Sequence, residues 1–184
     1  MSEKEYNLEQ ELKTWLKDAR KVVIIGVGNP IRMDDFVGMK IVQDLKEKVS
    51  SDKIMLIEAE RIPEDHLVEI LVFEPSHVLF IDAAVLDLQP GDTRFKRVEF
   101  LKSFSPFSTH MLPLRVFCEH LQKATDADVR LLLIEPKLTD FGEGLSAEIE
   151  QTRQGIRRIL KDALTRVSRG SHGSSRKDQT KTSE

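Results

Sequence analysis

The chain has 184 residues, a formal net charge of -3 and a single cysteine, Cys118. This length is typical of one domain that buries enough surface to fold without a disulfide or a structural metal. No apolar stretch reaches the roughly 20 residues that span a bilayer, and the charged opening residues 1–21 differ from a signal peptide. We therefore expect a soluble, cytoplasmic protein that does not insert into a membrane. Its basic residues form no stripe with interleaved aromatics, which argues against nucleic acid as a partner.

Short apolar runs alternate with amphipathic helical patterns along the chain. The runs are dense in Val, Ile and Leu, as in strands that are buried on both faces of a parallel sheet. The helical patterns repeat apolar residues at spacings of three and four, and Ser146 is a candidate N-cap for the last of them. In chain order the predicted elements are a helix at 5–17, a strand at 21–27, a helix at 36–49, strands at 54–57, 77–81 and 93–100 (the last an edge strand), a helix at 111–123, a strand at 129–134 and a helix at 146–167.

This alternation predicts an α/β fold: a doubly wound, mostly parallel twisted sheet of about five strands with helices on both faces, in the phosphorylase/hydrolase-like class. We expect a single domain over 1–168, with an extra helix within 1–20. The tail at 169–184 has few apolar residues to bury and is expected to be disordered. In such sheets, ligands bind beyond the carboxyl ends of the strands, where the strand order reverses. For a 2-1-3 order, this place lies between the first and third strands.

A glycine-rich loop follows the first strand and ends in two acidic residues, Asp34 and Asp35. A dinucleotide-binding fingerprint requires a third glycine at position 31, which is Ile31, and two aspartates would repel a pyrophosphate. The loop therefore argues against a nucleotide site. The two aspartates allow two interpretations, because they can cap the next helix or serve a ligand. From the residues alone, either aspartate can take either role.

Two further residues are candidates for the same site. Asp82 follows the apolar run 78–81, so it is predicted near the interior, where a carboxylate needs a cation or several donors such as loop amides. His110 is predicted at the amino end of a helix, which favours neutral imidazole, the form that binds metals. For a lone histidine, a structural role is the more common one. If a carboxylate of the Asp34–Asp35 pair, Asp82 and His110 converge, they form a divalent transition-metal site with open coordination positions, which indicates exchange or chemistry.

Five short segments occur in a characteristic order: 26–38, 81–83, 89–91, 109–114 and 134–136. Together they resemble the nickel-iron hydrogenase maturation endopeptidases, within a similarity that covers about residues 21–160. The block at 109–114, Thr-His-Met-Leu-Pro-Leu, is most similar to the formate-hydrogenlyase-type branch of that family.

The resemblance implies a hydrolase: an endopeptidase that removes the C-terminal extension of a hydrogenase large-subunit precursor, its expected partner, after nickel insertion. It implies that Asp35, Asp82 and His110 contact nickel, which leaves Asp34 as the helix cap. Nickel arrives with the substrate as a recognition element, so the isolated protein is expected without metal. Two mechanisms are open. Nickel polarises the scissile carbonyl or activates a water with a carboxylate as base, or Asp35 and Asp82 perform acid/base catalysis as in an aspartic-type protease.

The chain departs from the family pattern at two places. After the second strand the family has Asp-Gly-Gly, whereas this chain has Glu58, Ala59 and Glu60, and Phe36 stands where many members have glycine. These changes leave the three predicted ligands untouched. They indicate a difference in substrate docking.

Two other functions fit parts of the sequence. Peptidyl-tRNA hydrolases resemble this chain in a Gly-x-Gly-Asn-Pro loop after the first strand. The histidine that follows their loop is absent here, and the acidic balance of the chain is unfavourable for tRNA. The second alternative is a nickel-sensing or chaperone-like module that uses the same three ligands without cleaving.

Overall fold

The computed structural model describes residues 7–60, 63–103 and 111–170 of the chain. Within these residues, five strands form one sheet in the order β2-β1-β3-β5-β4. Neighbouring strands are parallel, except that β4 runs antiparallel to β5 at one edge. The strands are β1 Val22–Gly26, β2 Ile54–Glu58, β3 His77–Ala83, β4 Thr93–Arg97 and β5 Asp128–Ile134.

Helices cover both faces of this sheet. One face carries α1 (Leu8–Trp15), α2 (Val37–Lys46) and α5 (Ala147–Arg169), and the other carries α3 (Leu67–Phe73) and α4 (Met111–Thr125). Because side chains alternate along a strand, β1 supplies both cores, and all of its apolar side chains are fully buried. No helix in the described ranges combines the length and the apolar character needed to cross a membrane.

The structure confirms the predicted fold class and the reversal of strand order between β1 and β3. The helix α3 was absent from the prediction because its sequence, LVEILVF, is apolar around most of its circumference and shows no amphipathic period. Its Val68 and Val72 are exposed in the structure. The edge strand is shorter than predicted, because Val98–Ser103 forms a 3₁₀ helix.

The predicted cap of the last helix is correct in position and wrong in chemistry. Ser146 stands at the N-cap of α5, but its side chain makes no capping hydrogen bond to the helix. Its hydroxyl donates to Oδ2 of Asp34 at 2.9 Å instead. The predictions for residues 1–6, for His110 and for the tail beyond Gly170 lie outside the described residues.

Candidate functional site

The loop after β1 and the start of α2 lie directly against the carboxyl end of β3. The Val27 amide donates to the Ile81 carbonyl oxygen at 2.9 Å. At Gly38, a Cβ atom would lie 2.1 Å from the same Ile81 oxygen. At Gly28, where φ is +150°, a Cβ atom would lie 1.9 Å from the carbonyl oxygen of Asp35. No side chain fits at either distance, so both glycines are required for this close approach.

This close packing brings Asp35 and Asp82 together. Asp35 lies in a 3₁₀ turn, Met33–Phe36, that contacts β3, and Asp82 is the penultimate residue of β3. Burial of Asp82 and the negative charge of Asp35 raise the pKa of the Asp82 carboxyl to about 8, against an opposing hydrogen bond from the Ala83 backbone. The Asp82 carboxyl group therefore holds its proton to a higher pH than an ordinary aspartic acid does, and it lies beside a second carboxyl group.

The third predicted ligand, His110, lies outside the described residues. Within the described ranges, no three His, Cys, Asp or Glu side chains are grouped closely enough to hold a metal ion. The described part of the site thus supplies two oxygen donors, from Asp35 and Asp82. Carboxylate oxygens and an imidazole are donor types that suit a borderline divalent metal such as nickel. The residue types fit the predicted ligand set, and the full set stays a prediction.

Asp34 has a different role from the one predicted. It is fully buried, and it does not cap α2, whose N-cap position is Phe36. Oδ2 of Asp34 accepts hydrogen bonds from the amides of Lys137 at 3.0 Å and Leu138 at 2.8 Å, and Oδ1 accepts from the Ser146 amide at 2.7 Å. With the Ser146 hydroxyl, four donors converge on one carboxylate. Asp34 therefore fixes the segment 137–146 beside the site.

A second buried acid, Glu135, was missed by the sequence reasoning. It directly follows β5, and its Oε2 accepts hydrogen bonds from the Leu86 amide at 2.6 Å and the Leu88 amide at 3.2 Å. The Gly91 amide donates to the Glu135 carbonyl oxygen at 2.9 Å. Glu135 thus holds the loop that continues from Asp82. The available signal was an acid directly after a buried apolar run, which is the signal that identified Asp82.

The altered segment after β2 borders the same loop. Burial raises the pKa of Glu58, but hydrogen bonds from Lys46 and Gln43 outweigh this effect and hold the pKa below its ordinary value. The Glu58 carboxylate is therefore engaged with α2. Glu60 adopts a φ of +36°, a left-handed conformation that favours glycine, and its carbonyl oxygen accepts from the Gly28 amide at 2.8 Å.

Several known proteins are similar to this chain in sequence. The family model described as HycI, hydrogenase maturation protease, matches residues 39–165. A candidate hydrogenase maturation protease from Methanocaldococcus jannaschii is 34% identical over 142 residues, which cover 73% of this chain and 83% of that protein. The hydrogenase 3 maturation protease of Escherichia coli is 26% identical over 119 residues, which cover 65% of this chain and 75% of that protein.

Solved structures share the architecture. The crystal structure of HycI, a nickel-iron hydrogenase maturation protease from Thermococcus kodakarensis, matches with a TM-score of 0.79 and 27% identity, covering 85% of this chain and 99% of that one. The E. coli hydrogenase maturating endopeptidase HybD has the same fold at a TM-score of 0.68 and 20% identity, covering 79% of this chain and 92% of that one. Because the family model matches most of its length and the archaeal relative agrees along nearly three quarters of it, the chain belongs to the hydrogenase maturation protease family.

Proposed function

We propose that this chain is a cytoplasmic endopeptidase that removes the C-terminal extension of a nickel-iron hydrogenase large-subunit precursor after nickel insertion. Nickel enters as part of the substrate and acts as the recognition element. Family membership supports the processing of a hydrogenase precursor. The Thr-His-Met-Leu-Pro-Leu block at 109–114 supports a substrate of the formate-hydrogenlyase type.

One observation carries the proposal: two carboxyl groups, those of Asp35 and Asp82, lie side by side at the point where the strand order reverses. Burial and the charge of Asp35 raise the pKa of Asp82 to about 8. A carboxyl group with a structural task is instead surrounded by hydrogen-bond donors, as Asp34 is. A buried carboxyl group with a raised pKa next to a second carboxyl group is typical of sites that perform acid/base chemistry.

We assign Asp35, Asp82 and His110 as the residues that contact the nickel of the precursor. Peptide hydrolysis requires that a water attacks the scissile carbonyl and that the departing amide nitrogen gains a proton. In the carboxylate mechanism, Asp35 accepts a proton from the water and Asp82 donates its proton to the nitrogen. In the second mechanism, the nickel of the substrate polarises the carbonyl, and a carboxylate of the pair serves as base.

The test mixes the purified chain with nickel-loaded and nickel-free large-subunit precursor and follows the mass of the precursor. Loss of a C-terminal peptide from the loaded form alone supports the proposal. Binding to the loaded form without loss of mass favours a nickel-sensing module. Cleavage of peptidyl-tRNA in place of the precursor favours a peptidyl-tRNA hydrolase. Indifference to every substrate contradicts all three. Offering precursors of several hydrogenase types tests the assignment to the branch.

Three variants test the site residues. Asp35→Asn, Asp82→Asn and His110→Ala are each expected to slow cleavage by about 100-fold or more, because each removes a proton carrier or a ligand. Circular dichroism of each variant checks that the fold is intact. Asp162→Asn is the matched control, because Asp162 is exposed on α5, and it should cleave at the wild-type rate. Retained cleavage in Asp35→Asn and His110→Ala contradicts the assignment.

A further inference from the structure

Three large apolar side chains are exposed on two segments that lie beside the candidate site. Ile31 is 55% exposed, Leu138 is 40% exposed and Phe141 is 79% exposed. We call these three residues the apolar patch. A large apolar group that is exposed in this way costs solvation free energy, and clusters of them mark interaction surfaces.

The two segments that carry the apolar patch are paired through their backbones. Arg32 and Gly142 form a parallel β-bridge. The Gly142 amide donates to the Ile31 carbonyl oxygen at 3.0 Å, and the Met33 amide donates to the Gly142 carbonyl oxygen at 3.1 Å. Ile31 and Phe141 are therefore held next to each other by the pairing of their neighbours.

Side chains fix the same arrangement from two directions. The Arg32 guanidinium donates to the Thr139 carbonyl oxygen from Nε at 3.0 Å and from Nη2 at 2.9 Å, and it lies 5.4 Å from the centre of the Phe141 ring. From the interior, the Asp34 carboxylate accepts from the Leu138 amide at 2.8 Å. A surface that is ordered before binding loses little conformational entropy when a partner docks.

The apolar patch is continuous with the candidate site. Ile31 belongs to the loop that leads through the 3₁₀ turn to Asp35, and Leu138 is bonded to the residue that precedes Asp35. Ile31 lies four residues before Asp35, a separation of at most about 14 Å along the chain. A polypeptide bound at Asp35 therefore needs only a few further residues to reach the patch. A second copy of the chain seated there would cover the same loop and compete with the substrate.

We propose that the apolar patch is the docking surface for an apolar segment of the precursor polypeptide next to its scissile bond. This inference rests on the proposed function, because it takes the polypeptide substrate from it. The Phe141 ring is the anchor, since an exposed aromatic side chain contributes the largest contact area on a preordered surface. The patch governs how tightly the precursor binds, and the carboxyl pair governs how fast it is cut.

The test is a kinetic comparison with the nickel-loaded precursor as substrate. The double variant Leu138→Ser, Phe141→Ser removes two members of the patch. It should raise KM by about 10-fold or more and leave kcat within about twofold of wild type, because the lost contacts are made equally in the ground and transition states. The single variant Phe141→Leu, which keeps an apolar anchor, should have a KM close to that of the wild type. An unchanged KM in the double variant overturns the proposal.

A matched control comes from the helix α3, where Val68 and Val72 are 73% and 76% exposed. The double variant Val68→Ser, Val72→Ser removes the same number of exposed apolar side chains from another surface, and it should leave KM unchanged. An equal rise in KM in both double variants overturns the proposal, because the effect would then not belong to the patch.

Binding separates this proposal from the proposed function. Wild-type protein that cleaves no precursor contradicts the proposed function, and the Kd of the uncleaved precursor then tests the patch alone. A Kd raised about 10-fold by the Leu138→Ser, Phe141→Ser change supports the patch, and an unchanged Kd or no binding at all overturns it. Sedimentation tests the competing occupant. A wild-type dimer that the same double variant converts to monomers assigns the patch to a second copy and overturns docking of the precursor.

Discussion

Asp34→Asn is the sharpest test of how the site is built, because it changes one buried atom and one charge at constant shape. The carboxylate accepts four hydrogen bonds, three at Oδ2 and one at Oδ1. All four donors belong to the segment 137–146. The substitution therefore addresses the connection between this segment and the loop that carries Asp35, and no other contact.

The magnitude follows from the donors. An asparagine oxygen at the Oδ2 position still accepts from the Lys137 and Leu138 amides and the Ser146 hydroxyl, but without the negative charge that strengthens these bonds. The asparagine NH2 group then faces the Ser146 amide, which donates to Oδ1 at 2.7 Å in the wild type, so two donors oppose each other. The weakened bonds and one buried unsatisfied donor together cost about 2 to 4 kcal/mol of the free energy of unfolding.

Urea unfolding of the full chain at neutral pH measures this loss, with Asp162→Asn as the exposed control. Amide hydrogen exchange should also accelerate at Lys137, Leu138 and Ser146, because their acceptor is weakened. The cleavage rate should fall as well, since Asp35 follows Asp34 directly. A loss of less than about 0.5 kcal/mol, the level of an ordinary surface substitution, would refute the view that Asp34 organises the site.

Three further predictions concern the surroundings of the site. Asp82→Asn should stabilise the metal-free protein. The folded-state pKa of Asp82, about 8, lies above the ordinary value, so the stability of the wild type falls as the pH rises from about 4 to 8. In thermal unfolding with a chelator, the variant should gain about 2 to 4 kcal/mol at pH 8 and little at pH 4. An equal gain at both pH values would contradict this. Glu60→Gly should raise the free energy of unfolding by about 1 kcal/mol by relieving a positive φ. The control Glu47→Gly, at a φ of -72°, should lower the free energy of unfolding. Urea unfolding measures both variants, and a loss of stability in Glu60→Gly would contradict the prediction. Glu135→Ala should cost about 2 to 3 kcal/mol by leaving the Leu86 and Leu88 amides without their acceptor, and Glu135→Gln, which keeps an acceptor oxygen, should cost much less; equal losses in urea unfolding would show that packing, not hydrogen bonding, matters there.

The fold was predictable where burial leaves a pattern in the sequence. The strands β1 and β3 are buried on both faces, so they appear as unbroken apolar runs, and their alternation with helical patterns indicates a doubly wound sheet. The helix α3 left no such pattern. Its apolar residues Val68 and Val72 face solvent, and a seven-residue helix is too short to establish a period.

The position of the carboxyl pair was predictable for a general reason. The hydrogen-bond partners of Asp34, which hold the neighbouring turn, were not. Asp35 comes after β1 and Asp82 lies near the end of β3, the two strands between which the order reverses, and ligands bind there in open α/β sheets. The partners of Asp34 lie 103 to 112 residues further along the chain, so no local pattern identifies them. Local reasoning assigned Asp34 to the nearest free amides, those of α2. Tertiary structure supplied closer donors from another segment.

The 3₁₀ turn explains why two adjacent aspartates perform separate tasks. Successive residues of a 3₁₀ helix differ by about 120° around its axis, so Asp34 points to the segment 137–146 while Asp35 lies toward β3 and Asp82. Each aspartate is therefore required at its own position, and an acidic residue at only one of the two positions does not replace both. Because the buried carboxylate holds the turn that carries the other, loss of Asp34 also displaces Asp35. The double variant Asp34→Asn, Asp35→Asn should thus lose less free energy of transition-state stabilisation in cleavage than the sum of the losses in the two single variants.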